Sequence, residues 1–330
     1  MIVDSHHDIA WNALAEGRGF TSDPRPGFMV TRKALTNAGV GLVFSTIFTA
    51  PRSARVMAGL PYTYATAREA YLLGRAQLSY YESVDLRLLL TREALTGYVR
   101  DWRPGQLAAI LLMENADPIE SPSQVGEWVR RGLRVVGPAW ARTRYCGGTH
   151  APGGLTDAGR MLLAAMRRHK LILDLSHMAD RSMRDSLEMW TGPVVATHGG
   201  ARTVNPRQRQ LPDSVIAEVG RRNGMMGISL FSGHLTRQPP ATIEDVVDHA
   251  AHVATVTGTT QCIGLGSDLD GGFGSDLAAI GSLAELRQLQ SALGRRLGRP
   301  AAEGIMGGNW IRFLEAALPS ERTVVRASAE

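Results

Sequence analysis

The stretch Asp4-Ser5-His6-His7-Asp8 sets two carboxylates and two imidazoles within five residues. Carboxylates and imidazoles are the side chains that hold a hydrolytic metal ion or pass a proton. In isolation the tripeptide His-His-Asp reads as a solvated loop. The reading changes because the pattern recurs. Glu114 ends the apolar run "LAAILLM", and His177 follows "LILDLS". His198 follows "PVVAT", while Asp268 and Asp270 follow "CIGLGS". Five apolar runs thus end in groups of the same chemistry, which is a stronger signal than any one of them.

Those runs belong to a longer series. In order they are Met1–Val3, 39–48, 107–117, 133–140, 171–178, 193–200, 225–231 and 262–272. Runs of Val, Ile and Leu without polar alternation suit parallel strands covered on both faces. Helical spacing of apolar residues separates most of them, over 62–83, 121–132, 156–169, 180–190, 212–224 and 242–258. Thr156 and Asp180 open two of these helices and Gly closes several. Eight strands alternating with helices is the count of a (β/α)8 TIM-type barrel, with a doubly wound sheet as the alternative. Residues 84–103 read as an excursion before the third strand. No Pro-, Gly- or Ser-rich linker divides the chain. One domain over 1–318 is expected, followed by a polar tail over 319–330.

In such a barrel the C-terminal ends of the strands form the active face. In an extended segment His6 and Asp8 share a side, so both can address one metal while His7 points away. Asp4 sits lower on the strand, as a candidate partner to a ligand. Only two of the 36 basic residues are lysine, Lys33 and Lys170, and both precede strands. Neither is placed to bridge two cations as a carboxylated lysine, which leaves Glu114 as the natural bridge. Asp268 is placed to take a proton from a water and return it to a leaving group. Asp270, in the glycine turn, is expected to order its loop. His169, His249 and His252 fall in helices and read as packing or surface residues. His150 and His234 lie in loops after strands 4 and 7 and are candidates to approach substrate.

The bulk properties set limits. The chain has 330 residues, is 44% hydrophobic and 20% charged, and carries a formal net charge of +5. The arginines are scattered, without a basic cluster or an interleaved aromatic stripe, so nucleic-acid binding is not expected. No apolar run reaches 18 residues and no secretory pattern is visible, so a cytoplasmic protein without membrane association is expected. Cys146 and Cys262 show no metal-site or disulfide-framework spacing and are expected to be reduced thiols.

Together these segments resemble the renal (membrane) dipeptidase family of the amidohydrolase superfamily. "DSHHD" is similar to its D-G-H-x-D, and "LLMENAD" to its G-x-E-G. The stretch 154–179 is similar to its G-L-T…D-L-S-H, and "PVVATHGGAR" to P-V-x-x-S-H-S-x-x-R. "IGLGSDLDGG" and "GIMGGNWIRFL" follow in the family order. The resemblance implies two zinc ions, one on His6, Asp8 and Glu114, the other on Glu114, His177 and His198. It implies hydrolysis of a small dipeptide, with an L- or D-residue at its C-terminal position, by a metal-bridging hydroxide. Asp268 would shuttle the proton and Arg209 would grip the substrate carboxylate through its bidentate fork. A homodimer is allowed. One departure bears on substrate: Trp140 stands where the family usually has a histidine near the reacting carbonyl. Polarisation would then fall to zinc or to a donor such as Arg142, Arg144 or His150. A related amidase or lactonase, or a metal-binding barrel without catalysis, are the alternatives.

Overall fold

A computed structural model describes residues 1–54 and 62–322. The strands β1 (Ile2–His7), β2 (Val40–Phe48), β3 (Ala108–Glu114), β4 (Leu133–Gly137), β5 (Ile172–Asp174), β6 (Val194–Gly199), β7 (Met225–Ile228) and β8 (Ile263–Leu265) form the central sheet. Each pairs in parallel with its sequence neighbours, and β1 pairs with both β2 and β8, which closes the barrel. The eight strands coincide with the eight apolar runs, and the architecture is the expected (β/α)8 barrel in a single domain. Every residue of β2 and β3 is buried, as strands covered on both faces require.

Period-two alternation positions the chemistry. Ala108, Ile110 and Leu112 pack in one cluster with Leu42, Phe44, Val135, Ile172 and Val195. Trp310 and Phe313, from the helix Asn309–Ala317, complete it, with the Trp310 ring 4.9 Å from Phe44. The next residue in this alternation along β3 is Glu114, so the strand's pleat delivers its carboxylate to the barrel mouth. Ser5, where the resembled family carries glycine, sends its hydroxyl to the carbonyls of Thr197 (2.6 Å) and Leu265 (3.0 Å). There is room for it because two facing positions lack a Cβ. One built on Gly227 or Gly266 would lie 2.6 or 2.8 Å from Ser5 Oγ.

Most of the expected helices form within a few residues of their expected bounds. Thr156 caps Asp157–Arg168 by accepting from the Gly159 amide, and Thr242 caps Ile243–Thr257 in a capping box with Asp245. Asp180 differs: Ala179 is the cap residue, and the Asp180 carboxylate instead pairs with Arg202 at 2.7 Å. The excursion over 84–103 adds a two-residue strand, Arg87–Leu88, beside β3, and a helix, Arg92–Asp101. Of the expected tail, Pro319–Arg322 are described and 323–330 lie outside the described residues. Among the described residues no helix is long and apolar enough to cross a membrane. Cys146 and Cys262 are buried and unpaired.

Candidate metal centre

The residues singled out from the sequence converge at one end of the barrel. Glu114 lies between two groups of imidazoles and divides its oxygens between them. Oε2 is 3.4 Å from His6 Nε2, whereas Oε1 is 3.1 Å from His177 Nε2 and 3.6 Å from His198 Nε2. His6 Nε2 is also 3.9 Å from Asp8 Oδ1 and 3.9 Å from Asp268 Oδ1. The Nε2 atoms of His177 and His198 are 2.9 Å apart. Among the described residues two sets of donor atoms lie close enough to share a cation: His6, Glu114 and His198, and His6, Asp8 and Asp268. Both include His6. The split of the Glu114 oxygens, however, groups His198 with His177 and leaves His6 with Asp8.

Asp8 reaches the centre by a different route from the one expected. β1 ends at His7 and its register slips between Asp4 and His7, so His6 and Asp8 are not two steps along a regular strand. Asp8 instead occupies the N-cap position of the helix Ile9–Glu16, and its side chain caps nothing. The Thr46 hydroxyl on β2 donates to its Oδ1. His177 and Asp268 each lie three residues past their strand, at φ of 64° and 61°. Such left-handed backbone is uncommon outside glycine, and here it turns both side chains into the mouth.

The electrostatics are those of a carboxylate cluster short of positive charge. Burial would lower the pKa of His6, but the Glu114, Asp8 and Asp268 carboxylates raise it to about 10. Burial pushes Asp8 up to about 6 and raises Asp268 well above the usual carboxylate range, with Asp8 and Glu114 adding repulsion at Asp268. Burial alone would raise Glu114, yet His6 and His177 hold it below its ordinary value. Burial, with help from Arg209, brings His177 down to about 4, and burial with His6 takes His198 well below its ordinary value. His6 Nε2 is buried without a hydrogen-bond partner among the described residues. An orphaned imidazole nitrogen among three carboxylates, beside two facing Nε2 atoms, fits divalent cations held by nitrogen and oxygen.

Supporting contacts orient these groups. Thr149 Oγ1 is 3.0 Å from His177 Nδ1, and Thr197 Oγ1 lies near Nδ1 of both His198 (3.3 Å) and His6 (3.4 Å). Asp4 accepts from the Ser267 amide at 2.7 Å, next to Asp268, and its Oδ2 is 3.0 Å from His7 Nε2. His7 is fully buried beside Asp4 and takes no part in the donor sets. Asp270 orders a different loop from its own. It accepts from the Met29 and Val30 amides at 2.9 and 2.7 Å and pairs with Arg18 at 3.3 Å, pinning the segment after the first helix.

Arg209 is buried at the same mouth. Its Nη2 donates to the His198 carbonyl at 3.0 Å, while Nε and Nη1 have no partner among the described residues. Trp140 is half-buried, with its ring 6.0 Å from His177 and 5.2 Å from Phe48. Trp11 continues this aromatic wall, 5.0 Å from Phe48. His150 does not join the centre through its side chain: it sits exposed at the tip of the hairpin Cys146–Gly148/Ala151–Leu155, and its amide donates to Gln208. Arg142 and Arg144 are engaged elsewhere, on the Pro152 carbonyl and on Asp117. His234 has moved the other way. It is buried 3.9 Å from Asp268 Oδ2, and its Nδ1 is 3.0 Å from Ser229 Oγ. Its placement just past an apolar strand was the only hint in the sequence. His249 is a packing residue, accepting from the Ala201 amide and bonded to the Leu235 carbonyl.

A closed parallel barrel whose strand ends gather imidazoles and carboxylates around a central glutamate has the construction of a metal-dependent barrel hydrolase. The comparisons narrow this. The chain belongs to the membrane dipeptidase family, peptidase family M19, whose model matches residues 1–325. It is 33% identical over 225 residues to the dipeptidase tcpJ of Claviceps purpurea (strain 20.1), a match covering 66% of this chain and 52% of that one. The chain thus spans about half the length of that curated relative. Its fold is similar to the crystal structure of dipeptidase AC, an M19 metallopeptidase (TM-score 0.83, 24% identity, 97% of this chain and 99% of that one). It is equally similar to a Rhodobacter sphaeroides metallopeptidase liganded with a phosphinate mimic of the dipeptide L-Ala-D-Ala. There the TM-score is 0.82, with 24% identity and coverage of 96% of this chain and 99% of that one.

Proposed function

We propose that this chain is a binuclear zinc dipeptidase acting on small dipeptides with a free C-terminal carboxylate. The observation that carries this reading is the division of the Glu114 carboxylate, with one oxygen toward His6 and the other toward His177 and His198. His6, Asp8 and Glu114 would hold one ion, and Glu114, His177 and His198 the other. When bound, the pair supplies Lewis acidity toward the peptide carbonyl and makes water a nucleophile near neutral pH. Asp268 takes the proton of the attacking water on its carboxylate and returns it to the leaving amine. Arg209 offers Nε and Nη1 to the substrate carboxylate, which sets the dipeptide's direction across the mouth. Trp140 and Phe48 form an apolar wall beside His177 and exclude water there.

A second reading, an amidase or lactonase for another small carbonyl substrate, is favoured by Trp140, whose indole cannot act as an imidazole beside the carbonyl. One experiment separates the two. The purified protein is assayed on dipeptides with L- and D-residues at the C-terminal position and on their C-terminal amides, with metal content measured on the same sample. The R. sphaeroides ligand motivates the D-series. About two zinc ions per chain and cleavage that requires the free carboxylate are expected. Activity without metal, or equal cleavage of the amides, overturns the reading.

A further inference from the structure

Thr197 occupies a position that metal chemistry does not itself call for. It lies in the middle of β6, fully buried, and its Oγ1 meets four polar groups. Asp174 Oδ2 is at 2.6 Å, His198 Nδ1 and Ser176 Oγ are both at 3.3 Å, and His6 Nδ1 is at 3.4 Å. A hydroxyl has one proton to give and two lone pairs to accept with. The shortest contact, to a carboxylate, takes the proton, because charge-assisted bonds are the stronger ones. Asp174 is itself fixed: Oδ1 accepts from the Ser176 amide at 2.9 Å and the Thr197 amide at 3.0 Å. Ser176 spends its own hydroxyl proton on the His198 carbonyl at 3.2 Å. The Thr197 lone pairs are therefore left facing two imidazole Nδ1 atoms.

We infer that Thr197 is a positioning residue that sets the tautomer of His6 and His198 together, and so couples the two metal positions through one hydroxyl. Accepting from both rings holds the proton on each Nδ1. Both Nε2 atoms, which face Glu114, are left with a free lone pair for a cation. The two histidines come from different strands, β1 and β6, and serve opposite oxygens of Glu114. His177 has a separate support, Thr149, and so provides an internal control. This inference rests on the two-metal reading proposed above.

Thr197→Val keeps the β-branched shape and removes the hydroxyl, Thr197→Ser restores the hydroxyl, and Thr149→Val tests the control. Zinc is titrated into each metal-stripped protein against a chelating indicator. Thr197→Val is expected to weaken both zinc positions by about 10- to 100-fold, the usual cost of losing a partner behind a metal ligand. Thr197→Ser should recover both, and Thr149→Val should weaken one only. Tautomers are read independently from nitrogen-15 spectra of the histidines in the native, metal-free protein. These need no variant to fold, and the His198 proton should be on Nδ1. Native protein that takes up fewer than two zinc ions removes the two-metal reading, and this inference with it. Two ions in the native protein with unchanged affinities in Thr197→Val, a loss at one position only, or a His198 proton on Nε2 each overturn the coupling alone.

Discussion

Replacing Arg209 with Met separates what the guanidinium does for substrate from what it does for the fold. The side chain is 9% exposed, and only Nη2 is bonded, to the His198 carbonyl. Among the described residues Nε and Nη1 donate to nothing, and burial lowers the pKa of the group. A buried donor without a partner costs about 1–3 kcal/mol, and two cost about 2–6 kcal/mol. Methionine fills much of the same space and removes that cost, at the loss of one charged hydrogen bond worth about 1.5–3 kcal/mol. The attraction of Asp268 and Glu114 for the guanidinium is shared with the metal ions in the loaded protein. Zinc-loaded Arg209→Met is therefore expected to range from about 1 kcal/mol less stable to about 4.5 kcal/mol more stable than the native protein. At about 2.1 cal/mol/K of unfolding entropy per residue, Tm moves between about 1.5 °C down and about 6.5 °C up. Catalysis should fall in either case. Removing one partner of a buried charge pair costs about 2–5 kcal/mol. That cost lowers kcat/KM for carboxylate-bearing dipeptides by about 30-fold to several-thousand-fold, mainly through KM. Calorimetry without substrate and steady-state kinetics on the same preparation test both halves. A variant that melts several degrees below the native protein would show that Arg209 is a structural anchor, and the unpaired-donor reasoning would be wrong.

Two further substitutions probe the same mouth. Asp268→Asn should keep its zinc and lose about 10²- to 10⁴-fold in kcat, the usual contribution of a positioned acid/base group; a near-native rate would remove Asp268 from proton transfer. Asp270→Ala should release the Met29 and Val30 amides and leave Arg18 to Glu16 and Asn12; at about 1–3 kcal/mol for each donor left unpaired, the two amides cost about 2–6 kcal/mol. Limited proteolysis should then cut first within residues 17–31, and an unchanged cleavage pattern would mean that the loop holds itself.

The barrel was legible in the sequence because its strands are buried on both faces and stand out as unbroken apolar runs. All eight runs became strands. Helices such as Asn309–Ala317 were not singled out, because their packing against the barrel shows only in three dimensions. Glu114 was legible for a physical reason: a carboxylate ending "LAAILLM" needs a compensating partner, and His6 supplies charge while His177 supplies a hydrogen bond. The alternation of a regular strand would put His6 and Asp8 on one side, which is not how they meet. A register slip and a helix N-cap, neither visible as a pattern, bring them together. Asp270 was assigned to its own turn, whereas its partners lie some 240 residues earlier.

The hidden part of the centre has a common chemistry. The side chains that orient the candidate ligands are largely hydroxyls: Thr46 on Asp8, Thr149 on His177, and Thr197 between His6 and His198. Threonine is also a good strand former, so inside "VVATHGG" or "VFSTIF" it reads as one more β-branched residue. Histidine and glutamate betray themselves in an apolar run because burying them is costly, whereas a hydroxyl is cheap to bury once it finds a single partner. Apolar runs that end in ligand-type residues therefore show where a metal can sit. The Thr or Ser positions within or just beyond those runs are the places to look for what fixes each ligand's tautomer and direction, and Thr197 is where that search converges on two ligands at once.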